Sequence, residues 1–80
     1  MAIAIVRASA SNRCRVTDPT GTPLNVRQNP NGAIMGNLYN GELVFITAGA
    51  PDARGKPWVY IEDQTGQSLG WVLREFISCF

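Results

Sequence analysis

The chain has 80 residues, a formal net charge of +1 and 45% hydrophobic residues, which is the composition of one small globular domain. It contains no histidine, which excludes the commonest general base, the histidine-dependent catalytic triads and histidine-containing zinc sites. The balanced charge offers no electrostatic surface for nucleic acid, and no apolar run approaches the ~20 residues of a membrane-spanning helix. We therefore expect no nucleic-acid partner and no membrane span.

Residues 1–12 precede the predicted domain and carry a short apolar run followed by Ala8-Ser9-Ala10. This small-x-small pattern is typical of a signal-peptidase site, although the run is short and no basic segment precedes it. Two interpretations remain open: a remnant of an export signal, or a disordered leader or extra edge strand. The first favours a periplasmic or extracellular protein.

From residue 13 onward, short β-prone segments alternate with turn-forming residues. The predicted strands cover residues 14–17, 24–27, 33–39, 43–48, 58–62 and 68–73. One helical turn is expected at 74–77, followed by a terminal strand at 78–80 that pairs back near Cys14. Residues 49–57 contain two prolines and two glycines and are expected to form a long loop with an exposed tip at 52–56. This spacing predicts an all-β domain, and a small closed barrel would leave the fewest exposed strand edges.

The two cysteines, Cys14 and Cys79, lie near the ends of the predicted domain. Their separation is too wide for a C-x-x-C redox motif or zinc half-site. One interpretation is a disulfide between the first and last strands, worth about 4 kcal/mol by loop-closure entropy and requiring an oxidising compartment. The alternative is a pair of reduced, buried thiols.

Several short motifs occur in a fixed order along the chain. They are Leu24-Asn25-Val26-Arg27 followed by Pro30, then Gly36-Asn37-Leu38, Gly41, Val44 with Ile46, Trp58 with Ile61, Gly70-Trp71-Val72, and Ile77. In this order and spacing the chain resembles the bacterial SH3-like (SH3b, type 3) domain. The resemblance implies an SH3-like barrel of five to six antiparallel strands at residues 13–80, with a short 3-10 turn near its C-terminus.

The resemblance also implies a non-catalytic binding role, most often toward peptidoglycan or its peptide stems. The expected partners are peptidoglycan fragments or an envelope protein, with the domain as a monomer or weak dimer. No cofactor or metal is expected. The first loop lacks the acidic, tyrosine-rich character of proline-peptide-binding relatives, so binding of proline-rich peptides is not implied. The long 49–57 loop and the cysteine pair depart from the family pattern.

Four aromatic residues are candidates for ligand contact: Trp58, Trp71, Tyr60 and Tyr39. Their rings offer stacking faces with a polar atom, which suits sugar rings and amide planes. The alternative for the two tryptophans is packing within the barrel.

Two polar residues of the family motif are further candidates. Arg27 could bind a stem-peptide carboxylate or instead bond nearby loop carbonyls, and Asn25 could bind ligand or stabilise a turn. Leu43 and Phe45 define an apolar strand face that, if exposed, would suit a protein–protein interaction or assembly module. The only adjacent carboxylates, Glu62 and Asp63, are expected to flank a turn rather than to catalyse glycoside hydrolysis.

Overall fold

A computed structural model describes residues 13–80, and the predicted leader at 1–12 lies outside the described residues. The described chain forms one antiparallel sheet of seven strands. The strands are β1 (Arg13–Val16), β2 (Leu24–Arg27), β3 (Ile34–Leu38), β4 (Leu43–Pro51), β5 (Pro57–Glu62), β6 (Ser68–Leu73) and β7 (Ile77–Cys79). A 3-10 turn at Arg74–Phe76 connects β6 to β7.

The strand order is β3-β2-β6-β5-β4-β1-β7, so β3 and β7 are the two edges of the sheet. The sheet curls because the turn after β3 reaches β1: the Gly41 N–H donates to the Val16 carbonyl at 2.9 Å, and the Val16 N–H donates to Glu42 at 3.1 Å. Leu38 of β3 and Ile77 of β7 consequently belong to the same buried core. The predicted all-β, SH3-like barrel is confirmed, with seven strands in place of five to six. The seventh is the predicted terminal strand, which pairs with β1 beside Cys14.

The core follows the two-residue alternation of the strands. In β1, Cys14 and Val16 point inward and are buried while their neighbours are exposed, and β2 repeats the pattern with Leu24 and Val26. The remaining buried apolar members of the cluster are Leu38, Val44, Val59, Ile61, Val72 and Ile77. Side chains at the alternate positions of β2, β5 and β6 therefore lie on the outer face of the sheet.

Gly70 lies where β6 passes closest to β2. A Cβ at this position would lie 2.7 Å from Val26 Cγ1 and 2.9 Å from the Arg27 carbonyl oxygen, and its φ of +142° disfavours any L side chain. Only glycine allows β6 to approach β2 at this distance. This approach places the next residue, Trp71, opposite Arg27.

One type of turn recurs at Asp18, Asp52 and Asp63, each followed three positions later by glycine. In each turn the glycine N–H donates to the aspartate carbonyl, and an aspartate Oδ1 accepts the N–H two residues on. The glycine φ angles are positive, at 79° for Gly21, 84° for Gly55 and 88° for Gly66. Aspartate and glycine therefore determine these turns locally.

The prediction of a loop over the whole of residues 49–57 is wrong. β4 continues to Pro51 and β5 begins at Pro57, with Ala50 opposite Trp58 and Pro51 opposite Pro57, so only the tip at 52–56 lies outside the strands. Both prolines are tolerated because Pro51 is the last residue of β4 and Pro57 the first residue of β5, where an inter-strand hydrogen bond is not required.

Cys14 and Cys79 are directly opposed on β1 and β7 and form a disulfide, as one of the two interpretations predicted. The bond joins positions 65 residues apart in sequence and holds the edge strand β7 on β1. Within residues 13–80, no helix is long and apolar enough to cross a bilayer.

Candidate functional site

Arg27, Trp71 and Tyr60 form a row across the outer face of three strands. Arg27 of β2 is opposite Trp71 of β6, and Trp71 is opposite Tyr60 of β5. The Tyr60 and Trp71 rings meet edge to face, with centroids 5.4 Å apart and planes at 68°. Both aromatic residues are half-buried, so each packs on its neighbour while part of its surface faces solvent.

A cavity of about 200 Å³ adjoins this row on the same face. Its lining comprises Asp18, Thr22, Pro23, Leu24, Asn25, Arg27, Asn31, Trp58, Leu73 and Phe76. Trp58 and Leu73 are cross-strand neighbours that lie two residues from Tyr60 and Trp71 respectively, so the row and the cavity are continuous. The cavity residues together with Tyr60 and Trp71 are called the outer groove below.

Trp58 lies on the floor of the cavity and is only 4% exposed. It belongs to the outer face and not to the core cluster, and its indole Nε1–H donates to Asp52 Oδ2 at 3.0 Å. Because the ring is covered and its N–H is occupied, Trp58 offers a ligand only the edge that lines the cavity. Among the tryptophans, Trp71 has the more accessible surface.

Asp52 holds Trp58 and the hairpin tip together. Its Oδ1 accepts the main-chain N–H groups of Arg54 at 2.8 Å and Lys56 at 3.0 Å, while Oδ2 accepts the indole N–H. The indole hydrogen bond above all, then the main-chain hydrogen bonds and the nearby Arg54 charge, lower the pKa of Asp52 from its ordinary value.

Arg27 is half-buried beside the cavity, and its Nη1 donates to the Gly32 carbonyl at 2.7 Å. This contact is the loop-carbonyl role that the sequence left open as an alternative. A guanidinium has five N–H donors, and within residues 13–80 Arg27 makes no other side-chain hydrogen bond or ion pair. Its remaining donors are therefore available at the cavity. Asn25, on the same outer face of β2, is exposed.

Asp18 is a cavity residue that the sequence analysis did not select. It is 7% exposed, and its Oδ1 accepts the Thr20 N–H at 2.9 Å and the Thr20 hydroxyl at 2.7 Å. The Asn40 side chain bonds both main-chain groups of Asp18 and so fixes the turn. The D-x-x-G sequence indicated the turn, but the cavity contact depends on the packing of β2, β5 and the 3-10 turn around it.

Tyr39 lies apart from the other candidates. It follows β3 and is 62% exposed, and its main-chain N–H donates to Glu42 Oε2 at 2.7 Å. It does not line the cavity. The structure thus brings together five of the six candidates, namely Trp58, Trp71, Tyr60, Arg27 and Asn25, and leaves Tyr39 at a separate surface.

The apolar face proposed at Leu43 and Phe45 is half-buried. Large exposed apolar side chains lie elsewhere, including Ile34 and Met35 on β3, each 57% exposed. Within the described part of the chain, no group of three or more metal-ligating side chains is brought together.

A family model described as "Bacterial SH3 domain" matches residues 22–78, from the end of the first turn into β7. The searches of curated proteins and of solved structures gave no match.

Proposed function

The chain belongs to the bacterial SH3 domain family, whose members are typically non-catalytic and often bind the cell wall, and from this premise we propose that it recognises peptidoglycan through the outer groove. The single observation that supports the proposal is the convergence of candidate residues on one face of the sheet. Five residues selected from the sequence for ligand contact lie side by side on the outer face of β2, β5 and β6.

The groove has the chemistry of a peptide- or glycan-binding surface. Trp71 and Tyr60 present aromatic surface to amide planes or sugar rings, and their mutual contact holds them in one orientation. Asn25 and Arg27 supply donors and acceptors beside that surface, which would orient the bound chain. A groove of this size buries little ligand area, so the affinity of one domain should be weak and attachment should gain from several copies or sites.

The disulfide supports a location outside the cytoplasm. A bond between Cys14 and Cys79 persists in the periplasm or the extracellular space, where thiols are not kept reduced. Peptidoglycan is located in the same compartments, so the covalent chemistry and the proposed ligand agree.

The proposal is tested by titrating isotope-labelled protein with soluble peptidoglycan fragments and following main-chain amide shifts. We expect shifts at Asn25, Arg27, Tyr60 and Trp71, and at least about tenfold weaker binding for Trp71→Ala. Phe80→Ala is the matched control, because Phe80 is a 56% exposed aromatic residue outside the groove. An unchanged spectrum of the folded protein, or equal losses in both variants, would contradict the proposal.

The alternative function, an assembly module that uses Leu43 and Phe45, has weaker support. Both side chains are half-buried, which leaves less apolar surface for a partner than the sequence suggested. Dimerisation in light scattering that is abolished by Phe45→Ser would favour this alternative over wall recognition.

A further inference from the structure

We propose that the cavity of the outer groove binds a zwitterionic, amino-acid-sized group, with Asp18 contacting its ammonium and Arg27 its carboxylate. This inference rests on the proposed function and deepens it, because it names the part of a wall peptide that enters the cavity. It assigns a role to the second oxygen of the Asp18 carboxylate, which the hydrogen bonds of the turn do not use.

One oxygen of the Asp18 carboxylate is not used by the turn. Both side-chain hydrogen bonds that Asp18 accepts end on Oδ1, from the Thr20 main chain and hydroxyl. Its Oδ2 has no hydrogen-bond partner among residues 13–80, and no Lys or Arg forms an ion pair with it there. Oδ2 is not sealed from solvent, since no fully buried side-chain oxygen of the described residues lacks a hydrogen-bond partner, and a cation or donor can reach Asp18 from the cavity that it lines.

A side chain of the opposite charge, Arg27, lines the same cavity but forms no ion pair with Asp18. Arg27 uses Nη1 on the Gly32 carbonyl and forms no salt bridge with any carboxylate in the described chain. The cavity therefore presents one negative and one positive side chain as separate poles. A ligand with both charges satisfies both poles, whereas a ligand with one charge leaves the other pole unpaired.

The cavity has the size of one amino-acid residue. The cavity volume of about 200 Å³ is below the ~300–1,000 Å³ typical of sites for drug-sized molecules, so it accepts one residue-sized group. Besides the two charged residues, the lining includes the apolar side chains of Leu73 and Phe76 and the indole of Trp58. A free aliphatic amino acid matches this arrangement. Within a wall fragment, both charges stay free only where the residue is attached through its side chain, and the rest of the fragment would then extend over Trp71 and Tyr60.

The test uses leucine, N-acetyl-leucine and leucine amide as probes, titrated into the full chain and followed by main-chain amide shifts. Leucine carries both charges, N-acetyl-leucine only the carboxylate, and leucine amide only the ammonium. We expect leucine to bind at millimolar concentration with shifts at residues 18–31, and the two singly charged probes to bind at least about tenfold more weakly.

Two variants test which charged group of leucine each of the two side chains contacts. Asp18→Asn keeps the Oδ1 acceptor of the turn and should lose leucine binding while leaving N-acetyl-leucine unchanged. Arg27→Gln should also lose leucine binding, but it should leave the binding of leucine amide unchanged. Asp63→Asn is the matched control, because Asp63 holds the same type of turn but lies outside the cavity, so leucine binding should be retained.

Equal binding of the three probes, no leucine binding, or full leucine binding in folded Asp18→Asn would overturn the inference. Peptidoglycan fragments are titrated into the same samples to separate the two proposals. Fragment binding without preference for leucine refutes only the zwitterion inference, whereas absence of fragment binding refutes the proposed function itself.

Discussion

The carboxylate of Asp52 and the indole of Trp58 are joined by a 3.0 Å hydrogen bond that ties the tip of the β4–β5 hairpin to the floor of the outer groove. The same carboxylate closes the hairpin tip through the main chain of Arg54 and Lys56. A change at the tip should therefore reach the groove through Trp58.

The depressed pKa of Asp52 predicts a pH dependence of stability. A folded-state pKa below the ordinary value of 3.8 means that the unfolded chain binds the proton more readily, so the stabilisation is complete above about pH 5 and is lost as the pH falls through the folded-state pKa. We expect Asp52→Asn to lower the urea midpoint at pH 7 and to reduce the loss of stability between pH 5 and pH 2.

Asp63 provides the comparison for this measurement. Hydrogen bonds from Thr65 and Gln67 also lower its pKa, but it has no contact with an indole. Asp63→Asn should therefore change the pH dependence of unfolding without changing the near-ultraviolet circular dichroism of the tryptophans, whereas Asp52→Asn should change both. If the slope of stability against pH is the same in all three proteins, the assignment is wrong.

Gly70→Ala should destabilise the protein by roughly 2–5 kcal/mol, because it combines a disfavoured φ with a Cβ pressed against Val26 and the Arg27 carbonyl. Gly36→Ala is the control: a Cβ there meets no atom within 4 Å. Urea unfolding of the two variants measures the difference. Equal midpoints would show that β6 can move away from β2 at no cost.

Reduction of the Cys14–Cys79 disulfide should lower the free energy of unfolding by about 2–5 kcal/mol, because the unfolded chain regains the freedom of a loop that spans most of the domain. Guanidinium unfolding with and without dithiothreitol measures the change. The double variant Cys14→Ala/Cys79→Ala should no longer respond to the reductant, and a wild-type curve that is insensitive to the reductant would refute the prediction.

The edge-to-face contact of Tyr60 with Trp71 predicts a coupling of about 0.5–1.5 kcal/mol in a double-mutant cycle of unfolding free energies with alanine at each position. Tyr39 and Trp71 form the reference cycle, since Tyr39 lies away from the groove, and their effects should add within about 0.5 kcal/mol. Additive effects for Tyr60 and Trp71 would mean that the rings do not support each other.

The turns and strands were predictable because their determinants are local. Aspartate and glycine specify the recurrent turns, and alternation specifies the inward residues of β1 and β2. The full length of β4 was not predicted, because glycine and proline at Gly49, Pro51 and Pro57 are typical of loops. Hydrogen-bonded pairing with β5 stabilises the extended strand in spite of the low β-propensity of these residues.

The groove was only partly predictable. Residue chemistry selected Trp71, Tyr60 and Arg27, but the position of Trp58 depends on its hydrogen bond to Asp52, and the cavity that Trp58 lines also depends on the turn that contains Asp18. Asp18 itself reads as an ordinary turn residue. Its position at the cavity follows from tertiary packing, which no local pattern encodes.

The pairing of β1 with β7 also determines how the domain bears mechanical load. Cys14 and Cys79 lie next to the two ends of the described chain, and the Phe80 N–H donates to the Arg13 carbonyl at 3.0 Å. Tension applied between residues 13 and 80 would run through the covalent sulfur bridge and bypass the hydrogen-bonded strands between them. A domain pulled at both ends would therefore keep its groove intact under forces that unravel an unbridged barrel.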